Sequence, residues 1–505
     1  MKLPKYQTYF RSLFIIGPWT GRALAQSTTS SSACPTFSPA YPAPVVASGW
    51  QAQLIATGLS TPRSILFDSN GHLLVVQSGY GVVNLELADS GGTCISVANK
   101  TYLINSTDVS VYPLLGYIMS NSGNQLNHGL ALSNDGKTLY ASSVEAVFSW
   151  SYDAASQAVI GENKTLVIGM NNTDHLTRTL LMSQWQPGIL LVSRGSATNV
   201  DSDAEDFSTG HSQLRAFNMA NVTGTSPPYD FSTSGRLLGW GLRNSVGLAE
   251  EPLTGGIYSV ENSVDQITRD GTDIHQNNPG EEMNFHGYLN SSTENQGGNY
   301  GYPDCFALWN TDIPDVGSLQ VGNQFTMAPS STLNDTTCSL SRVPPRLTFQ
   351  AHMAPLDIIF LPNGTEAYVT FHGSWDRTAP VGYKLSTIAF ANGSPVAASD
   401  STTALTDIFS NQNNSNCPGS CFRPVGLARD GQGRIFMSSD ATGEIWVLLK
   451  TGAPSSTTSA PSSTTSASPT ATQTPNGAAA SRLFGIHSLL ATLGLLAYCL
   501  LAESC

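Results

Sequence analysis

Four short apolar segments of this chain begin with basic or amide side chains that could bind an anion. These are Arg63, His128, the pair Arg243-Asn244, and Arg423. Only 12% of the residues are charged, so an arginine beside an apolar segment needs an anionic partner that matches its guanidinium group. Few acids stand at matching positions, so the pattern favours an anionic ligand. An internal carboxylate partner for each arginine is the alternative.

Asp174 and His175, followed by Arg178, form a second group that could do chemistry. Histidine is the most common general base near neutral pH, and an adjacent acid can select its tautomer and raise its basicity. His175 could therefore remove a proton while Asp174 orients the imidazole. A turn aspartate followed by a surface histidine is the alternative.

Six repeats must position these side chains. Each has an apolar segment, a turn with glycine or an Asx residue, and a second apolar segment; they start at Arg63, Asn127, Thr179, Asn244, Pro355 and Arg423. Such repeats are typical of β-hairpins in propeller blades. We predict an all-β fold, a six-bladed β-propeller over residues 34–452. The inner strands of a propeller line its channel, so the polar side chains should meet at one mouth.

Three motifs carry a resemblance to a known family. They are Arg243-Asn244, the run Glu261-Asn262-Ser263-Val264, and the run Gly298-Asn299-Tyr300-Gly301-Tyr302-Pro303. Together they resemble the soluble quinoprotein glucose and sorbosone dehydrogenases, and most of all the fungal pyranose dehydrogenases that depend on pyrroloquinoline quinone (PQQ). The resemblance extends over about residues 49–449 and implies PQQ and Ca²⁺ as cofactors.

The resemblance also implies roles for individual residues. His175 is the base, Asp174 orients it, and Arg243 stabilises charge that develops on the quinone oxygen. PQQ carries three carboxylates, and the side chains expected to contact it are Arg63, His128, Arg243, Asn244, Asn262, His372, Trp375 and Arg423. The main-chain carbonyls of Ser263 and Val264 are the expected calcium ligands. The chain departs from the family here, because Asn262 replaces a glutamine and Ser263-Val264 replaces the Gly-Pro of bacterial members.

The expected function is oxidation of a small sugar, a pyranose or ketoaldose, at C1 by hydride transfer to calcium-bound PQQ. We expect a monomer that passes electrons to an unidentified acceptor. A calcium-dependent lactonase is one alternative, but that class holds its cation with several acids at the channel mouth. A non-catalytic cell-surface binding module is the other.

Composition and the two ends of the chain indicate an extracellular protein. A net charge of −13 argues against a nucleic-acid partner. Residues 1–25 read as a signal peptide, and ten Asn-X-Ser/Thr sequons follow. Residues 453–475 form a Ser/Thr/Pro-rich stalk, and 476–505 resemble a glycosylphosphatidylinositol (GPI) attachment signal with a removable tail. The expected location is the cell surface, with the GPI anchor as the only membrane contact; a C-terminal transmembrane helix is the alternative.

Six cysteines remain once the tail is set aside, an even number that suits an oxidising compartment. Their order suggests the pairs Cys34–Cys94, Cys305–Cys338 and Cys417–Cys421. The short spacing of the last pair would also suit a zinc site.

Overall fold

The computed structural model describes residues 34–106, 109, 125–291 and 293–452. All of them belong to one compact unit. The predicted signal peptide, stalk and GPI signal lie outside the described residues. Within the described ranges, no helix combines the length and apolar character needed to cross a membrane.

Six mainly antiparallel sheets form the blades of a β-propeller, and we number them in chain order of their first strands. Blade 1 has strands Pro62–Phe67, Leu73–Gln77, Gly81–Asp89 and Ile95–Asn105. Blade 2 has Leu130–Leu132, Thr138–Ser142, Val147–Asp153 and Ala158–Ile168. Blade 3 has Leu180–Met182, Ile189–Arg194, Gln213–Asn218 and Arg236–Trp240.

The remaining blades follow the same pattern. Blade 4 has Ser245–Glu250, Gly256–Glu261, Glu281–Tyr288 and Leu347–Phe349. Blade 5 has Pro355–Phe360, Glu366–Phe371, Lys384–Ala391 and Leu405–Ser410. Blade 6 has Pro424–Arg429, Ile435–Ser439, Glu444–Lys450 and Trp50–Ala56. The last strand of blade 6 comes from the N-terminal part of the chain, and its pairing with Glu444–Lys450 closes the ring.

Smaller elements extend this frame. Val45–Val46 adds to the edge of blade 5, Ser394–Pro395 pairs with its third strand, and Tyr229–Asp230 runs parallel to the edge of blade 2. The hairpins Thr268–Arg269/Thr272–Asp273 and Cys305–Ala307/Gln324–Thr326 lie in the insertions of blade 4, with the helix Asp335–Ser341. Short 3-10 segments span Ser202–Glu205, Phe207–Thr209, Met219–Asn221 and Asn414–Asn416.

Each predicted repeat is the first hairpin of one blade, so the predicted six-bladed propeller is confirmed. The apolar side chains of these hairpins pack between neighbouring blades. One cluster joins blades 1 and 2 through Leu74, Val76 and Phe148, and another joins blades 4 and 5 through Val260 and Ile358. Burying such side chains contributes roughly 1.5–3 kcal/mol each, which stabilises the ring around its channel.

The pairing of the first two strands decides which residues meet. Because the two strands are antiparallel, the start of the first and the end of the second lie at the same face of the propeller. Side chains beside those two points in every blade therefore surround one mouth of the channel.

All three predicted disulfides are present. Cys34–Cys94, Cys305–Cys338 and Cys417–Cys421 have Cα–Cα distances of 5.4, 5.7 and 5.5 Å. These distances lie in the ordinary disulfide range. The disulfide between Cys417 and Cys421 leaves no thiolate there for zinc.

Candidate active site

A cavity of about 470 Å³ opens at this mouth of the channel. Most of the predicted site residues line it, together with several that the sequence did not single out. Its lining residues include Asp174, His175, Asn199, Arg243, Asn244, Asn262, Ser263, Asp265, Glu281, His352, His372, Trp375 and Arg423.

His175 presents its imidazole to the cavity and turns Nδ1 into the wall. Nδ1 lies 2.8 Å from the hydroxyl oxygen of Ser196 and 3.1 Å from its carbonyl oxygen. Burial, and then the positive charge of Arg243, lower the pKa of His175 to about 4, while Asp174 opposes this shift. The imidazole is therefore neutral at neutral pH, which is the form that a general base requires.

Asp174 does not hydrogen-bond to His175, so it does not orient the imidazole as predicted. Its side chain is exposed, and the Nδ1 atom that it was expected to orient is occupied by Ser196. Only a Coulombic effect on the pKa of His175 remains. Neighbours in sequence point their side chains apart, so an aspartate adjacent to a histidine need not reach its ring.

Two buried polar residues shape the loop that carries His175. Arg178 donates from Nη1 to the carbonyl of His175 at 2.8 Å and from Nη2 to the carbonyl of Met170 at 2.6 Å. Asn172 donates from Nδ2 to the carbonyls of Gly195 and Ser196 at 2.8 and 2.9 Å. The arginine of the Asp-His-x-x-Arg motif thus holds the main chain of the loop.

Gly195 allows this loop to approach the wall of blade 4. A Cβ atom at position 195 would lie 2.7 Å from Oδ1 of Asn244 and 2.8 Å from Cβ of His175. Any larger residue would therefore separate His175 from the Arg243-Asn244 pair.

Arg243 has a protein acceptor for each of its five guanidinium hydrogens. Nε donates to the carbonyl of Asn199, Nη2 to Oδ1 of Asn199 and to Asp265, and Nη1 to the carbonyls of Asn262 and Ser263. The ion pair with Asp265 is 3.0 Å long. Arg243 therefore supplies positive charge and fixes the 262–263 loop, and in this structure it has no hydrogen left for the expected contact with a quinone oxygen.

Arg63 and His128 do not line the cavity. Nη1 of Arg63 pairs with Asp440 at 2.6 Å, and Nε lies 3.3 Å from Nδ1 of His128. Asp440 also contacts Nε2 of His372 at 2.8 Å, and His372 does line the cavity. The expectation that few acids face the arginines is wrong, since Asp440 neutralises Arg63 and Asp265 neutralises Arg243.

Arg423 differs from these two arginines. Nε and Nη2 donate to the carbonyls of His372 and Gly373 at 3.1 and 3.0 Å, and no ion pair with an acid forms within the described ranges. The guanidinium lies over the ring of Tyr383, and burial lowers the pKa of Arg423. Trp375, 59% exposed, stands at the rim of the same cavity as a flat apolar surface. An anion with an extended ring could pair with Arg423 and stack on Trp375.

The loop predicted to bind calcium presents oxygen atoms at the cavity. The Ser263 carbonyl accepts from Arg243, and Glu281 lines the cavity while accepting from the Ser263 N–H at 2.7 Å. The Val264 side chain is buried in an apolar cluster, which leaves only its main chain to serve as a ligand. The Asn262 amide donates to the carbonyl of Pro355 at 2.6 Å. Carbonyl and carboxylate oxygens are the donors that Ca²⁺ prefers, so the residues present fit this cation.

Three buried carboxyl groups lie behind that loop. Burial raises the pKa of Glu261, Glu281 and Glu282, that of Glu282 to about 7, and neighbouring carboxylates add to each shift. Nδ2 of Asn284 donates to both Glu261 and Glu282 at 3.0 Å. A bound cation would favour the ionised forms of these carboxyl groups and lower their pKa values.

Several residues of the site were not predicted from the sequence, among them Ser196, Asp440, Asp265 and His352. Ser196 and Asp440 follow the second strands of blades 3 and 6, as Asn262 and His372 follow those of blades 4 and 5. That shared position is a signal that could have found them. Asp265 and His352 lie in loops outside the repeats, and His352 Nδ1 is 3.4 Å from Asp265. No repeat position predicts that contact.

Comparisons with known proteins identify relatives of this chain. The TrAA12-like family matches residues 44–451. A relative from Hypocrea jecorina named pyrroloquinoline quinone-dependent sugar dehydrogenase is 50% identical over 432 residues, 85% of this chain and 93% of that protein.

Two solved structures have the same architecture. A calcium structure of the Trichoderma reesei Carbohydrate-Active Enzymes Family AA12 protein has a TM-score of 0.77 at 52% identity, covering 82% of this chain and 99% of that one. The holo form of the pyranose dehydrogenase PQQ domain from Coprinopsis cinerea has a TM-score of 0.73 at 34% identity, covering 82% and 98%. The resemblance to quinoprotein sugar dehydrogenases is confirmed, and this chain belongs to the TrAA12-like family.

Proposed function

We propose that this protein is a PQQ- and calcium-dependent dehydrogenase that oxidises a pyranose or ketoaldose at C1. The observation that carries the proposal is the shared cavity. A neutral imidazole, His175, stands in one cavity with Arg423, a partly buried cation that has no acid partner in the described structure. The named functions of the relatives support the same assignment.

Arg423 and Trp375 would hold the cofactor. PQQ is an anionic planar ring, and a partly buried guanidinium without an acid partner gains most from a carboxylate. Trp375 can cover part of the ring and keep water from it. The oxygen atoms of Ser263 and Glu281 would hold Ca²⁺, and Arg243 keeps the Ser263 carbonyl in place.

His175 would act on the sugar. Its neutral ring can take the proton of the C1 hydroxyl at Nε2, because Nδ1 is engaged with Ser196. PQQ, when bound, supplies an ortho-quinone that accepts the hydride from the same carbon. The contacts of Arg243 with Ser263 and Asp265 would hold the 262–263 loop in place at the same cavity.

Reconstitution of the purified protein tests the proposal. Protein supplied with PQQ and Ca²⁺ should reduce a dye in the presence of pyranoses, and a chelator should abolish the activity. A sugar deuterated at C1 should react more slowly than the unlabelled sugar and should give the lactone. Dye reduction without an isotope effect at C1 would move the reaction to another carbon. Absence of dye reduction with every pyranose tested would contradict the proposal.

We propose further that the enzyme works outside the cell on a GPI anchor. Three disulfides suit an oxidising compartment, and the sequence patterns at both ends support the tether. Phosphatidylinositol-specific phospholipase should release the protein from intact cells. Retention on the membrane, under conditions that release a known anchored protein, would favour the transmembrane alternative.

A further inference from the structure

Ser196 follows the second strand of blade 3, and each of its polar groups is bonded within the cavity wall. Its N–H donates to the carbonyl of Arg243 at 2.8 Å, and its carbonyl accepts from Asn172 at 2.9 Å. Its hydroxyl oxygen lies 2.8 Å from the carbonyl of Thr198 and 2.8 Å from Nδ1 of His175. Ser196 therefore joins the main chain of Arg243 to the imidazole of His175.

These contacts determine where the protons lie. The hydroxyl has one hydrogen, and the Thr198 carbonyl can only accept, so the hydroxyl donates there. Its oxygen then accepts from Nδ1 of His175. The Ser196 carbonyl, 3.1 Å from the same Nδ1, can also only accept. Two acceptors face Nδ1, so Nδ1 carries the proton and Nε2 keeps its lone pair.

We propose that Ser196 is a positioning residue that holds His175 in its Nδ1–H tautomer and leaves Nε2 free as the base. This inference rests on the proposed function, in which His175 takes the proton of the sugar hydroxyl. Ser196 thus has the role that the sequence assigned to Asp174. A neutral hydroxyl selects the tautomer as a carboxylate would, but it adds no negative charge to the wall.

Ser196→Thr and Ser196→Val form a matched pair, since their side chains have nearly the same shape and differ in the hydroxyl group. The first readout is the ¹⁵N spectrum of His175 in the full chain, labelled at histidine, without PQQ or sugar. The threonine variant should keep one Nδ1–H tautomer, whereas the valine variant should show the Nε2–H tautomer as well. Turnover of the loaded valine variant should be lower by about three- to tenfold at similar KM, as expected for one neutral hydrogen bond.

His175→Gln assigns the resonance, and Ser259→Ala is the control. Ser259 lies 2.8 Å from Nε2 of the buried His286 in blade 4, outside the cavity. That change should shift the His286 signals and leave those of His175 unchanged. If valine at 196 prevents folding, Ser196→Ala is compared with wild type instead.

Identical His175 spectra with and without the hydroxyl would overturn the proposal, whatever the activity. Failure of the proposed function gives a different result. If protein loaded with PQQ and Ca²⁺ oxidises no sugar while the spectra differ as expected, the role of Ser196 is supported and the assigned reaction is wrong.

Discussion

The two sides of the cavity use polar residues in opposite ways. On the base side (His175 and Ser196), every partner of the imidazole is an uncharged oxygen, and the ring itself is neutral. On the arginine side (His372, Trp375 and Arg423), a charged guanidinium has only main-chain carbonyls as acceptors among the residues that the structure describes. Nδ1 of His175 is already bonded within the protein, whereas the charge of Arg423 has no acid partner among the described residues.

The contrast separates catalysis from binding. A base must keep one tautomer and one orientation before substrate arrives, which neutral hydrogen bonds achieve at little electrostatic cost. A binding arginine must keep part of its charge available, so an acid partner would weaken its attraction for an anion. Arg63 illustrates the other outcome, because Asp440 already neutralises it. Changes on the base side should therefore alter turnover, and changes on the arginine side should alter cofactor affinity.

Loss of the base should have the largest effect. His175→Ala should lower turnover by about 10²–10⁴-fold while PQQ still binds, because a general base acts at the transition state. Sugar-dependent dye reduction and calorimetric PQQ titration measure the two quantities separately. His72→Ala is the control, since His72 pairs with Asp68 away from the cavity and should not be needed for turnover. Near-normal turnover of His175→Ala with full PQQ loading would place the base elsewhere, and His372 would be the next candidate.

Loss of the unpaired arginine should have the next largest effect. Arg423→Ala should weaken PQQ binding by about 10- to 100-fold, since a charge-assisted hydrogen bond contributes roughly 1.5–3 kcal/mol. Arg63→Ala should weaken it less, because Asp440 neutralises that charge. Calorimetric PQQ titration of both variants measures the two losses of affinity. The exposed Arg236, which contacts Leu289 and Ser291, provides the control. Equal losses for Arg63 and Arg423 would contradict the division between paired and unpaired arginines.

The pH profile should report the neutral base. Burial and Arg243 hold the pKa of His175 at about 4, so Nε2 stays unprotonated as the pH falls through the ordinary histidine value of about 6.5. The acid limb of kcat/KM should therefore appear near pH 4. Initial rates over this range, with PQQ loading checked at each pH, measure it. An acid limb at the ordinary histidine value would show that the ring is more exposed in solution than in this structure.

Asp174→Asn should have the smallest effect. The side chain is exposed and bonds to no atom of His175, so turnover at neutral pH should change by less than about fivefold. The remaining Coulombic effect of Asp174 raises the pKa of His175, so its removal should move the acid limb to lower pH. A loss that approaches that of His175→Ala would restore Asp174 as the orienting residue.

The fold could be predicted from the sequence because a propeller blade is a local structure. Each apolar-turn-apolar repeat folds into its own hairpin, and six hairpins require six blades whatever the insertions contain. Arg243 and Arg423 were found for the same reason, since they stand at the start of a repeat. The acids that pair with the arginines could not be found in this way, as the partner of Arg63 shows. Asp440 is 377 residues from Arg63, and only closure of the ring brings the two side chains together.

The error at Asp174 has a different cause. The sequence shows that an acid is adjacent to His175, but the path of the main chain decides which atom faces Nδ1. Arg178 and Asn172 fold the loop so that Ser196, 21 positions further on, reaches the ring. Asn172 and Ser196 are common residue types with no distinctive spacing, so no motif marks them.

The most direct test of the account is the absorbance of the purified protein during addition of PQQ, then Ca²⁺, then sugar. We predict saturable PQQ binding near one per chain, tighter with Ca²⁺, followed by reduction of the bound PQQ when a pyranose is added. His175→Ala should show the binding but not the rapid reduction. Failure to bind PQQ in the presence of Ca²⁺, or bound PQQ that no pyranose reduces, would contradict the central claim.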